Sequence, residues 1–244
     1  MTVKRSRSGS RVLAVLETIA RHQPVGVSTL ARELATDKSA LQRAIMTLAD
    51  SGWIHPAAGA PTRWQLTARI LAVAHMGHRG NDLRQRARGT LESLRDECGE
   101  TVLLTVQDML GFVVIEAIES RHMLRTVPHI GMAVPVLGSA TARAMMPYMT
   151  EERQIQLLGK PADARLLEEF AITRKRGFSV SDGEVSTGAT TIAAPILEVD
   201  GRPSAAVAVS APSGRMPAST HANIGAMVCK AARKLSHGGR QTAN

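Results

Sequence analysis

The stretch from Val27 to Ile54, VSTLARELATDKSALQRAIMTLADSGWI, limits what this chain can fold into more than any other. Two helical patterns stand there only a few residues apart. Leu30, Ala31 and Leu34 give the first an apolar face, and Ser28 is placed to cap its start. Thr36 and Asp37 break the pattern and offer a second cap. From Lys38 the apolar residues fall at Leu41, Ala44, Ile45 and Leu48, three and four apart, on one helical stripe. At about 100° per residue, Ser39, Arg43 and Met46 point the other way, flanked by Gln42 and Ala40. Gly52 is placed to end this helix. The pattern predicts a helix-turn-helix whose second helix runs over Lys38–Asp50.

An ordinary core helix has no need of Lys38, Ser39, Gln42 and Arg43 on its outward first turns. A helix that enters a DNA major groove does. Arg bonds guanine bidentately, Gln bonds adenine, and Lys and Ser hold phosphate. A solvated helix in a plain helical domain also carries such residues, so charge distribution matters. Up to Gly80, eleven cations against four anions leave +7 of the chain's total +9. A basic module on a near-neutral remainder points to nucleic acid for the first part and to something else for the second.

The 244 residues suit two modest domains. Aromatics are scarce, so the cores must rest on Leu, Val, Ile, Met and Ala. Cys98 and Cys229 make neither a disulfide framework nor a zinc site. His75 and His78 have metal-ligand spacing but no third ligand nearby, so no metal and no cofactor is expected. No apolar run is long enough to span a membrane and no signal peptide is recognisable, which predicts a cytoplasmic protein with no membrane partner.

Before the helix-turn-helix, a basic Ser-rich tail leads to a helix capped by Ser10. After it, Trp53-Ile54 and Arg63-Trp64-Gln65-Leu66 flank a Pro-, Ala- and Gly-rich loop, which reads as a wing. A linker helix is expected from Ala68 to about His78, and a further helix from Asn81 to Glu97. Strands follow at Val102–Val106, Phe112–Ile118 and Ala133–Leu137. Ser139 is expected to cap a helix over Ala140–Tyr148, and two helices lie near Glu151–Leu158 and Asp163–Arg176. A hairpin of Thr190–Val199 and Ser204–Ser210 turns at Asp200-Gly201, and a helix over Asn223–Leu235 closes the chain. The fold class is α+β, with a winged helix-turn-helix at 1–67, a linker at 68–80 and a second domain at 81–244.

The whole chain resembles the IclR family of bacterial transcription regulators. Ser10-Arg11-Val12-Leu13-Ala14-Val15-Leu16 is similar to that family's opening helix. Leu30 to Ala35 followed by Lys38 to Arg43 is similar to its helix-turn-helix. Gly99-Glu100-Thr101-Val102 and the segment Gly177 to Pro195 resemble the start and the C-terminal signature of its ligand domain. The chain departs from the family's pattern at Leu137, Thr191, Leu197-Glu198 and Ala208, which bears on the ligand's identity and not on the fold. The resemblance implies a GAF-like effector domain, a homodimer or dimer of dimers on a double-stranded operator, and a small organic acid as effector, aromatic carboxylates included.

The candidate DNA-contacting residues are Arg11, Ser28, Lys38, Ser39, Ala40, Gln42, Arg43 and Arg63. The candidate effector set is Leu104, Val106, Met132, Gly138, Ser139, Ser181, Asp182, Thr191, Ile192 and Ser210. The start of a helix after Gly138-Ser139 supplies free N–H groups and a hydroxyl for an anion. Ser181 and Asp182 are expected in a loop at the pocket rim. Val114, Val134 and Val209 are further candidates for its walls, and Arg125 and His129 for a charged partner. Each polar residue also has an ordinary role: a helix cap for Ser139, a strand former for Thr191, a strand end for Ser210. The function expected is a ligand-responsive regulator of a catabolic operon. The alternative is an enzyme acting on a small carboxylate. Neither cysteine has a base at nucleophile spacing, and no P-loop or dinucleotide fingerprint is present.

Overall fold

The computed structural model describes residues 6–77, 83–109 and 111–237. The basic residues before Ser6, His78 and the first two residues of the helix expected from Asn81 lie outside them. The chain divides into two compact units, Met1–Asn81 and Asp82–Asn244.

In the first unit, α1 (Arg7–His22), α2 (Val27–Glu33) and α3 (Lys38–Asp50) pack around one core. Val15, Ile19, Leu30, Leu41 and Ile45 are fully buried in it. The cap of α1 is Ser6, whose hydroxyl accepts from Gly9 N at 3.2 Å. Ser10, expected as the cap, lies a turn inside and donates its hydroxyl to Ser6 O. Ser28 is likewise not a cap: α2 starts after Gly26 with no side-chain cap, and Ser28 sits exposed in its first turn. Asp37 does cap α3, its Oδ1 accepting from Ala40 N at 2.8 Å. The turn between the two helices puts Ala35 at φ 45°, a left-handed conformation usually given to glycine.

The wing is β2 (Ile54–Pro56) and β3 (Arg63–Leu66), and a short β1 (Val25–Gly26) adds a third strand in the order β1-β3-β2. Val25 pairs with Trp64, which is buried against the helices, and Trp53 packs on the same core. Two residues are too short a run for alternation to reveal β1 from sequence. The helix α4 (Arg69–Gly77) follows, with the Arg69 guanidinium over the Trp53 ring.

The second unit is built on a six-stranded antiparallel sheet of order β6-β5-β4-β9-β8-β7. Its strands are β4 (Thr101–Asp108), β5 (Gly111–Ile118), β6 (Ala133–Val134), β7 (Ser179–Asp182), β8 (Ala189–Leu197) and β9 (Pro203–Pro212). One face carries α5 (Leu83–Cys98) and α9 (His221–His237). Leu91, Leu94, Val228 and Leu235 meet Val102, Leu104, Ile192, Ala194, Val207 and Val209 there. The other face carries α6 (Ala140–Met145), with Ala140 and Ala144 against Leu103, Val114, Ala193 and Ala208. A register shift between Leu104 and Thr105 lets Phe112 and Val114 of β5 join this second face. The helices α7 (Glu151–Leu158) and α8 (Ala164–Arg176) follow α6, capped by Thr150 and Asp163.

Gly225 in α9 touches the Phe178 ring so closely that a Cβ there would lie 2.5 Å from two ring carbons. Gly225→Ala is therefore expected to destabilise the chain by about 1–3 kcal/mol through overpacking. This outweighs the roughly 1 kcal/mol that alanine gains over glycine in a helix. Denaturant unfolding of both proteins checks it, and an unchanged midpoint would count against this packing.

Candidate functional site

The outward face of α3 presents Lys38, Ser39, Gln42, Arg43, Met46 and Thr47 to solvent. The stripe behind them is buried, so the helix is held by one side and offers the other. Arg43 Nη1 donates to Ser39 Oγ at 2.8 Å, one turn earlier on the same face. Ala40 does not belong to this surface. It is 4% exposed, four residues before buried Ala44, and its N–H is already taken by Asp37. Ser28 and Arg63 line one hollow of about 650 Å³ between the start of α2 and the wing. Arg11 lies half-buried on α1.

The second unit contains a pocket of about 350 Å³. Its lining includes Leu103, Met132, Val134, Ser139, Thr141, Ser181, Thr191 and Ser210. Pleating decides which residues reach it. Thr191 and Ser210 are register partners on β8 and β9, and both face it. Their neighbours Ile192 and Val209, expected as walls, must then face the opposite side, where they join the core under α5 and α9. Leu104 and Val106 are displaced to that core for the same reason, and Leu103 takes the wall position. Val114 is buried beneath α6.

Ser181 and Asp182 end strand β7 instead of lying in a loop, so they too part company. Ser181 lines the pocket. Asp182 turns away and accepts from Thr190 Oγ1 at 2.6 Å and Ser213 Oγ at 3.1 Å. These hydroxyls hold its carboxyl below the usual carboxylate range. Gly138 stands behind the pocket, against Glu184. Arg125 and His129 are not in the lining; Arg125 Nε pairs with Glu119 at 2.8 Å.

The polar end of the pocket has an uneven supply of donors. Ser139 caps α6 as expected, but its hydroxyl is spent: it donates to Pro135 O at 2.6 Å and accepts from Ala142 N at 3.2 Å. The Thr191 and Ser210 hydroxyls bond each other at 3.1 Å, which leaves one proton of the pair for another acceptor. The Thr141 and Ser181 side chains, 3% and 4% exposed as residues, have no hydrogen-bond partner among the described residues. Thr126, Val127, Pro128, Val185 and Ser186 complete the rim. Sequence reasoning missed them because irregular loops have no period to read, and missed Thr141 because attention stopped at the cap. None of the described lining residues carries an ionisable side chain.

Burial pushes both cysteine thiols up from their ordinary range. Cys229 Sγ donates to Gly177 O, and the carboxylates of Glu100 and Glu97 disfavour a thiolate at Cys98. Among the described residues no cluster of His, Cys, Asp and Glu has the makings of a metal site. Nor is any helix among them long and apolar enough to cross a membrane.

A basic, exposed helix-turn-helix face with a wing, followed by a unit with an uncharged pocket, defines a DNA-binding regulator class. Residues 9–57 match the IclR helix-turn-helix domain, and residues 77–237 match the bacterial transcriptional regulator IclR C-terminal domain. The chain belongs to the IclR family of bacterial transcriptional regulators, and it is a DNA-binding transcriptional regulator and not an enzyme. It is 28% identical to the transcriptional repressor IclR of Escherichia coli (strain K12), over 96% of this chain and 90% of that one. It is 25% identical to the regulator BhcR of Paracoccus denitrificans, over 95% and 87%. Among solved structures, an IclR homologue of Microbacterium hydrocarbonoxydans complexed with 4-hydroxybenzoate superposes with a TM-score of 0.80. That match has 21% identity and covers 96% of this chain and all of the other.

The hydrogen bonds of Ser139 give it a structural weight apart from any ligand. Ser139→Ala is expected to cost about 1–2 kcal/mol of stability, because Ala142 N and the turn at Pro135 lose their partner. Thermal unfolding without added ligand checks this; an unchanged midpoint would mean that the cap contributes nothing.

Proposed function

We propose that the chain controls a catabolic operon in response to a small organic acid, aromatic carboxylates included, bound in the pocket of the second unit. One observation carries the reading. The pocket has unspent hydroxyls of Thr141, Ser181 and the Thr191–Ser210 pair, against walls of Leu103, Met132 and Val134. Such a site offers donors to a carboxylate and apolar surface to a short chain or ring. The 4-hydroxybenzoate held by the Microbacterium homologue is an acid of this kind and supports the class.

On the DNA side, Arg43 and Gln42 read base edges from the major groove, and Lys38, Ser39, Arg11, Ser28 and Arg63 hold the backbone of a double-stranded operator. A two-fold operator calls for a homodimer, or a dimer of dimers. The stretch Ala68–Met76 supplies its seam, since the apolar Leu71 and Val73 of α4 are 70% and 42% exposed. Such a protein works in the cytoplasm, where its DNA is.

Arg43→Ala is expected to weaken operator binding by about 1–3 kcal/mol and to relax selection at one base pair. Lys38→Ala weakens operator and random DNA alike. Gel-shift titration of both, with binding-site selection for Arg43→Ala, checks this; two variants that bind as the parent does would remove α3 as the reader.

For the pocket, isothermal titration compares 4-hydroxybenzoate and short aliphatic acids with their methyl esters. A binding acid is expected to lose at least about tenfold as its ester, and about tenfold with Thr191→Val or Ser181→Ala, each of which removes a donor with little change of shape. Equal binding of acid and ester would overturn the acid as the effector class.

A further inference from the structure

The loop 183–188 joins β7 to β8, and its residues divide between two hollows. Val185 and Ser186 line the pocket. Glu184 instead faces a separate hollow of about 260 Å³ with Gly138, Arg143 and Glu169. The base of the loop is pinned by backbone. Gly183 N donates to Ala189 O at 3.0 Å, Ala189 N to Ser186 O at 3.0 Å, and Ser213 N to Gly188 O at 2.8 Å. Asp182, at the end of β7, adds its bonds to Thr190 and Ser213. The charged hold on the loop between these anchors is Glu184. Arg143 Nη1 and Nη2 donate to its two carboxylate oxygens, each at 2.5 Å.

Arg143 is itself immobilised. Its Nη1 also donates to Val180 O at 3.2 Å, its Nε meets Glu169 Oε2 of α8 at 2.9 Å, and its side chain is only 15% exposed. It belongs to α6, whose first residues Ala140 and Thr141 are themselves pocket wall. The helix therefore lines the pocket with its first turn and grips the facing loop with the next. Gly138 lies against Glu184 with φ +80°, a left-handed conformation that favours glycine.

We infer that Glu184 and Arg143 are positioning residues that latch the β7–β8 loop over the pocket, so that breaking their ion pair opens the pocket wall. This deepens the reading of the pocket as the ligand site and rests on it. The Glu184 side chain is 39% exposed, so solvent screens its half of the pair. The pair's effect falls on the local equilibrium between a loop held down and a loop lifted between its anchored ends. Lifting it takes Val185, the residue next to Glu184, out of the pocket wall while the sheet and α6 stay in place.

Hydrogen exchange on the full chain, with no ligand added, reads that equilibrium. In Glu184→Gln, which keeps the shape and loses the charge, peptides covering 183–189 are expected to exchange about fivefold faster, while β4, β9 and α9 stay as in the parent. Glu169→Gln, which loosens the other partner of Arg143, is expected to leave the loop's exchange within about twofold. A second readout is chemical. Ser181→Cys places a thiol on the pocket wall, and iodoacetamide is expected to label it about fivefold faster when Glu184→Gln is also present. Unchanged loop exchange in Glu184→Gln, an equal rise across β4 and β9, or equal labelling of the Ser181→Cys thiol in both backgrounds would each overturn the latch. Neither measurement involves an acid, so failure of the effector class leaves them unaffected.

Discussion

The pleat of β8 and β9 is the constraint on which the second unit depends. Along these paired strands, one set of side chains is Ile192, Ala194, Ile196, Val207 and Val209, and it builds the core with α5 and α9. The alternate set includes Ala193 and Ala208, which are small. Small residues here, facing Ala140 and Ala144, bring α6 down onto the sheet. At Thr191 and Ser210, where the strands run past the start of α6, the same face carries hydroxyls that line the pocket. A single alternation thus produces a dry core on one side, and a close-packed helix with a pocket beside it on the other.

That alternation also explains what could be read in advance. Long periodic segments such as α3 and α5 were legible, because three- and four-residue spacing has one good interpretation. Caps were legible where one good candidate stood before the pattern, as at Asp37 and Ser139. They were misread in serine-rich surroundings, where Ser6 caps in place of Ser10. For the pocket, the sequence marks the strands that carry it but not which of their two faces it uses. Thr191 with Ile192 and Ser181 with Asp182 cannot point the same way on an extended chain, so one of each pair had to be wrong. The rim at Thr126–Pro128 and Val185–Ser186 is loop, with no pattern to betray it.

In the first unit the equivalent constraint is the turn between α2 and α3. Ala35 adopts a left-handed conformation there at a steric cost of roughly 1–2 kcal/mol, which the surrounding packing must outweigh. Leu30 on one side and Leu41 on the other are fully buried and meet the same core, and Asp37 caps α3 immediately after the turn. The polar face of α3 is thereby presented by a rigid frame. Within that face the bond from Arg43 to Ser39 orients a long side chain before anything docks on it.

The absence of ionisable side chains among the described residues of the pocket lining has a consequence for signalling. A guest received by hydroxyls and apolar walls neither takes a proton from its immediate contacts nor gives one to them. On the proposed reading of the pocket, uptake through those contacts is then not linked to protonation of the wall. As the proposed effector site, a pocket of this make sorts the ionic forms of a guest by hydrogen-bond donors alone, with no charge of its own among the described lining residues for the guest to match.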